Sequence, residues 1–172
     1  MRRGGAADII SVMHRARILT AEALSGVRDQ MERAGQKLVF TNGCFDLLHA
    51  GHVRYLQQAR ELGHALAVGL NSDRSVRELK GEGRPINAED DRAEVVAALG
   101  CVDYVVIFDG KRATDLLRAV RPQVYAKGGD YTPESLDPDE RAILAAADAE
   151  VQILPLLPGR STTAVLERMC QP

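Results

Sequence analysis

The sequence is poor in aromatic residues, at 4% of 172, and has no tryptophan. Its three cysteines, Cys44, Cys101 and Cys170, are odd in number, far apart and in no CxxC pair. That argues against a disulfide framework or a structural zinc knuckle and for a reducing, cytoplasmic setting. Neither sign of charge is in surplus: 22 basic side chains stand against 24 acidic ones, a formal net charge of −2. A dedicated nucleic-acid binder normally carries a basic excess, so no nucleic-acid partner is expected. No apolar run approaches the roughly 20 residues that a bilayer span needs, and Asp8, Ser11 and His14 break any signal-peptide core behind Arg2 and Arg3. No membrane partner is expected either. Three nucleotide and hydrolase signatures are also missing. There is no GxxxxGK[ST] cradle, no GxSxG elbow, and Gly81-Glu82-Gly83 lacks the third glycine and preceding strand of a dinucleotide fingerprint.

The length suits one compact domain with a core of its own. Residues 1–16 read as a loose or disordered leader and residues 17–172 as a single domain. Within the latter, short apolar runs alternate with amphipathic stretches. Strands are expected at Leu38–Phe40, Ala65–Leu70, Tyr104–Phe108, Gln123–Ala126 and Val151–Leu154. Helices are expected at Thr20–Gly35, Gly51–Leu62, Asp91–Leu99, Ala113–Val120, Pro138–Ala147 and Thr162–Met169. Strict alternation implies βαβ units with right-handed crossovers. The expected fold is therefore α/β: a Rossmann-like open parallel sheet of about five strands with helices on both faces.

Three segments fall where such a fold binds ligands, outside the carboxyl ends of the strands. Thr41-Asn42-Gly43-Cys44-Phe45-Asp46-Leu47-Leu48-His49-Ala50-Gly51-His52 runs from the first strand end into the next helix. Gly43 allows close backbone approach, and the two histidines add donors to a helix N-terminus that already favours anions. A triphosphate complements such a site. The same pair could hold a metal, although no third ligand lies nearby in sequence, or could stand there by chance. Cys44 is a nucleophile candidate whose ordinary reading is a small buried residue. Gly159-Arg160-Ser161-Thr162-Thr163 opens the last helix with hydroxyls suited to phosphate. Lys127-Gly128-Gly129-Asp130-Tyr131 is a glycine turn suited to a base or ribose. Arg77–Asn87, with Lys80 and Arg84, is a long polar interruption expected to touch ligand.

The HxGH core of the first segment, together with GRSTT before the last helix, resembles the HxGH nucleotidylyltransferase superfamily. The flanks resemble the D-glycero-β-D-manno-heptose 1-phosphate adenylyltransferases. NGCFDLLHAGHVRYLQQARELG, Asn71–Asp73, LKGEGRPIN at Leu79–Asn87, DYVVIFD at Asp103–Asp109, VYAKGGDY at Val124–Tyr131 and LPLLPGRSTTAVLERM at Leu154–Met169 carry it, in order, from about Ile18 to the end. The resemblance implies catalytic roles for His49, His52, Lys80 and Arg92. It implies nucleotide binding by Thr41, Asn42, Gly43, Phe45, Asp46, Gly51, Lys127, Gly129, Asp130, Tyr131, Ser161, Thr162 and Thr163. Asp46, Asn71, Arg84 and Arg160 are assigned to the second substrate. Arg160 departs from the apolar residue usual before the serine, and Leu156 stands where glycerol-3-phosphate cytidylyltransferases carry arginine. The implied substrates are ATP and a heptose 1-phosphate, giving ADP-heptose for lipopolysaccharide precursors. Mg²⁺ would be held by the substrate phosphates, with no protein metal ligand. The resemblance also implies a homo-oligomer served by a separate sugar kinase and phosphatase. Cytidylyl transfer to glycerol 3-phosphate and a non-catalytic nucleotide sensor are the alternatives.

Overall fold

The computed structural model describes residues 16–129, 132, 135–155, 162 and 166. Among them, six parallel strands form one sheet: β1 (Arg17–Ile18), β2 (Leu38–Gly43), β3 (Ala65–Asn71), β4 (Tyr104–Phe108), β5 (Val124–Gly128) and β6 (Glu150–Leu154). The helices between them are α1 (Ala21–Arg33), α2 (Ala50–Arg60), α3 (Asp73–Lys80), α4 (Glu89–Ala97), α5 (Thr114–Val120) and α6 (Pro138–Ala146). None of the described helices is long and apolar enough to cross a membrane.

The apolar runs of the middle strands explain the layering. β3 is buried along its whole length, and β2 over its first four residues. Strands covered on both faces read as continuous hydrophobic segments. On one face Leu56 and Ala59 of α2 and Ala93 and Val96 of α4 pack over Val39, Leu66 and Val68. On the other, Leu24 of α1, Leu117 of α5 and Leu144 of α6 pack over Leu38, Phe40 and Tyr125. Gly69 sits in mid-strand because a Cβ there would come within 2.7 Å of the Phe40 ring.

Strand order β1-β4-β3-β2-β5-β6 puts a reversal between β2 and β5. The chain winds outward through β3 to β4 and then crosses over α5 to the other side of β2. Ligands of open α/β sheets bind at such a switch point, outside the strand ends. Here those ends are Asn42-Gly43 and Lys127-Gly128.

The sheet has one strand more than the five expected. β1 is only two residues long, too short for a sequence pattern, and is recognised by its ladder. The Arg17 N–H donates to the Asp103 carbonyl at 3.0 Å and the Leu19 N–H to that of Val105 at 2.9 Å. Ala16, placed in the leader by sequence, is buried in the core. The expected interruption Arg77–Asn87 also changes, because its first four residues complete α3. Ser72 caps that helix by accepting from the Ser75 N–H at 3.2 Å, and Gly81 ends it. Both are readable stop-and-start residues.

Candidate active site

A cavity of about 870 Å³ opens over the β2–β5 reversal, within the range of small-molecule sites. One wall is the N-terminus of α2. His49 is its N-cap residue in extended conformation, and no acidic side chain occupies the first turn. The helix start thus keeps its affinity for anions. The His49 and His52 rings stack with centroids 3.9 Å apart, and the edge of Phe45 meets His52 at 5.3 Å. Phe45 takes a positive φ of 43° to reach that position. Gly43 faces it closely: a Cβ there would lie 3.0 Å from the Phe45 ring.

His52 is unusual in its chemistry. Burial and the neighbouring His49 lower its pKa to about 4, and its Nδ1 is buried without a hydrogen-bond partner among the described residues. A neutral imidazole keeps one N–H donor. The pair therefore offers donors to phosphate oxygens without requiring two adjacent positive rings.

This has a measurable consequence. The folded pKa of His52 lies below its unfolded value of about 6.5, so between those values only the unfolded chain takes up the proton. Its contribution to stability is complete above pH 6.5 and is lost as the pH falls toward 4. One proton sets a ceiling of about 1.4 kcal/mol per pH unit, reduced by solvent at the partly open ring. Urea unfolding at pH 7.5 and 4.5 should show this loss in the wild type. His52→Gln should remove that share of the pH dependence; an unchanged slope would contradict the assignment.

The β2–β5 floor is a polar network. Asn42 Oδ1 accepts from the Tyr125 hydroxyl at 2.8 Å and from Lys127 Nζ at 3.0 Å. With its oxygen so occupied, Asn42 has its amide N–H₂ left for a ligand. Burial lowers the Lys127 pKa, opposed by the Glu140 carboxylate. Thr162 joins the cavity from the last segment and donates from Oγ1 to the Leu47 carbonyl at 3.4 Å.

The opposite side is held by Asp46, which is 4% exposed. Its carboxylate accepts from Arg84 Nε at 2.6 Å, the Ile86 N–H at 2.8 Å and the Asn87 N–H at 3.1 Å. Asn87 returns a side-chain bond to the Asp46 carbonyl at 3.0 Å. The segment after α3 is thus strapped to the loop that leads into α2; Arg84 lines the cavity from that segment and Lys80 from the end of α3.

Most of the expected site residues meet here: Asn42, Gly43, Phe45, Asp46, His49, Gly51, His52, Asn71, Lys80, Arg84, Lys127 and Thr162 line one cavity. Three others do not. Arg92 is 2% exposed and fully engaged: Nε donates to the Asn87 carbonyl (3.0 Å), Nη1 to that of Cys44 (2.5 Å), and Nη2 to Asp73 (2.8 Å). It braces the loops behind the site, where sequence had placed it over the triphosphate. Thr41 is fully buried, its hydroxyl 2.6 Å from that of Tyr55, because strand alternation turns it toward α2. Gly129 lies beyond the cavity lining, its N–H donating to the Leu154 carbonyl at 3.1 Å. Asp130, Tyr131, Arg160, Ser161 and Thr163 lie outside the described residues.

Asn71 and Asp46 line the cavity, but their polar atoms are largely spent internally. Asn71 Nδ2 donates to Ser75 Oγ at 2.9 Å and to the Gly110 carbonyl at 3.0 Å. Burial pushes the Cys44 thiol up, against the pull of Lys80 and Arg92, so no thiolate nucleophile is prepared at neutral pH. Sequence reasoning missed the wall made by Lys111, Arg112, Asp137 and Glu140. The signal available was that Lys111 and Arg112 follow a strand end. Among the described residues no group of three or more His, Cys, Asp or Glu is placed to hold a metal ion.

The parallel α/β sheet thus carries stacked histidines at a helix N-terminus, in a cavity at the strand reversal where open α/β folds bind nucleotides. Residues 40–168 match the cytidylyltransferase-like family. The chain belongs to that family. It is 47% identical over 154 residues to the bifunctional protein HldE of Syntrophotalea carbinolica, covering 90% of this chain and 31% of that protein. It is 48% identical over 153 residues to the bifunctional protein HldE of Wolinella succinogenes, covering 89% and 31%. The chain thus spans about a third of the length of these relatives. Among solved structures, a lipopolysaccharide core biosynthesis protein from Thermoplasma volcanium is similar with a TM-score of 0.58 and 27% identity, over 72% of this chain and 98% of that one. The pantoate-beta-alanine ligase of Francisella tularensis shares the fold, with a TM-score of 0.55 at 14% identity, over 86% and 69%.

Proposed function

We propose that this chain transfers AMP from ATP to D-glycero-β-D-manno-heptose 1-phosphate, giving ADP-heptose and pyrophosphate. The observation that carries the reading is the stacked His49–His52 pair at an acid-free helix N-terminus, facing Lys80 and Arg84 across one cavity. The similarity to HldE proteins over nine-tenths of the chain supports the heptose acceptor.

An oxygen of the sugar phosphate attacks the α-phosphorus of ATP, and the bond from that phosphorus to the bridging oxygen breaks as pyrophosphate departs. The attacking oxygen is already anionic, so no protein nucleophile or strong base is needed. Catalysis is then positioning and charge stabilisation. His49 and His52 donate toward the α- and β-phosphate oxygens, aided by the free end of α2. Lys80 at the end of α3 and Arg84 on the strapped segment offset the growing charge, and Asn42 offers its amide to the nucleotide. Mg²⁺ carried by the triphosphate would add further charge compensation beside the lysine and arginine side chains that line the cavity. A cytoplasmic, homo-oligomeric enzyme completes the reading.

Pyrophosphate release tests it, with ATP or CTP and a panel of heptose, hexose and polyol phosphates. Release is expected with ATP plus the heptose 1-phosphate. Release only with CTP and glycerol 3-phosphate would replace this reading by a cytidylyl transfer, and nucleotide binding without release would make the protein a sensor.

A further inference from the structure

We propose that Lys127 is a positioning residue whose ammonium fixes the Asn42 amide with its oxygen inward and its N–H₂ group toward the nucleotide. The proposal deepens the transferase reading and rests on it for the identity of the ligand. Both residues sit at the strand reversal, where open α/β sheets bind ligands. In the β2–β5 ladder Phe40 pairs with Tyr125. Two residues further along each strand, Asn42 and Lys127 fall on that same face of the sheet, and both line the cavity.

The orientation of the amide follows from which neighbours can only donate. Tyr125 does not decide it. Its hydroxyl, 2.8 Å from Asn42 Oδ1, can donate or accept. With the amide turned over, that hydroxyl could accept from Nδ2 and donate to Glu140 Oε2, 3.5 Å away. Lys127 Nζ, 3.0 Å from the same amide oxygen, has donors only when charged. A turned amide would set its N–H₂ group against an ammonium, donor facing donor. Burial favours the neutral amine, and the buried Glu140 carboxylate opposes it. Glu140 thus supports the charged form that holds the amide.

The consequence falls on an anionic ligand. Held this way, Asn42 gives the cavity a donor; turned over, it would present a carbonyl oxygen that repels phosphate oxygens. Lys127 therefore acts on the ligand through Asn42, although it lines the cavity and carries a charge of its own. The rival arrangement is a direct ion pair between Lys127 and a phosphate.

A double-mutant cycle separates the two. α,β-Methylene-ATP is titrated by calorimetry into the wild type, Asn42→Ala, Lys127→Met and the double variant, with thermal melts of the same preparations. Each single substitution should raise Kd about tenfold, and the double variant should bind no more weakly than Asn42→Ala alone. Lys127→Arg, again a donor only, should keep most of the wild-type affinity beside Asn42. In the Asn42→Ala background it should equal Lys127→Met. Lys127→Gln, which accepts as well as donates, should weaken binding as Lys127→Met does, and replaces it should that variant not fold. Additive losses, or an advantage of arginine that persists without Asn42, would overturn the proposal in favour of the direct ion pair. Unchanged affinity in Lys127→Met would overturn it too. No acceptor is present in these titrations, so failure of every sugar phosphate to release pyrophosphate counts against the proposed reaction alone. A wild type that binds α,β-methylene-CTP instead counts against ATP, and the same cycle is then read with that nucleotide; one that binds neither overturns both.

Discussion

Replacing His52 by alanine should lower kcat by about 10²–10³ and leave the thermal midpoint nearly unchanged. The two halves of that result have one cause. His52 is held neutral by burial and by His49, with a buried nitrogen that no described group satisfies. An unsatisfied buried polar atom costs stability, so its removal relieves the folded state as much as it opens a gap. What is lost is a donor placed where negative charge accumulates as pyrophosphate departs. Initial rates of pyrophosphate release, with circular-dichroism melts of the same preparations, separate the two effects. Near-normal turnover in a folded variant would remove the histidine pair from the mechanism.

Arg92→Met should behave in the opposite way, costing stability first. Its guanidinium is 2% exposed and joins three segments through Asp73 and the carbonyls of Asn87 and Cys44. Removing one partner of such a buried arrangement typically costs about 3–5 kcal/mol, a fall in Tm of about 10 °C for a chain of this size. Lys80 provides the contrast, since it is exposed on the cavity rim at the end of α3. Lys80→Ala should lower kcat/KM by about 10² with an unchanged melt. Were Arg92→Met to keep its Tm and lose only affinity for ATP, the arginine would reach the phosphates after all.

Arg92 also shows where sequence reading stops. A basic residue beside a binding loop looks the same in sequence whether it faces ligand or core; its direction follows from the packing of α4 against β3 and β4. Thr41 poses the same problem, being one residue away from Asn42 and hence on the other face of β2. The parallel α/β architecture was legible because buried strands are continuous apolar runs separated by amphipathic stretches. β1 was not, since two residues carry no period. α3 was hidden by its composition: of Asp73–Lys80 only Val76 and Leu79 are apolar, and the polar remainder read as loop.

The histidine pair was legible because its residues are contiguous. The far wall was not, because Lys111 and Arg112 come from the turn after β4 and Asp137 and Glu140 from the start of α6, brought together only by the packing of α5 against α6. The strap formed by Asp46 belongs to the same class. An aspartate beside a phosphate-binding loop suggests a ligand contact, yet its two oxygens are taken by Arg84 and two backbone N–H groups.

The central claim is that a sugar phosphate displaces pyrophosphate at the α-phosphorus of ATP within this cavity. Incubating the protein with the heptose 1-phosphate and ATP labelled at either the α- or the γ-phosphorus tests that directly. The account predicts α-label in a nucleotide sugar and γ-label in pyrophosphate. Transfer of the γ-label to the sugar, or label release that does not depend on the sugar phosphate, would contradict it.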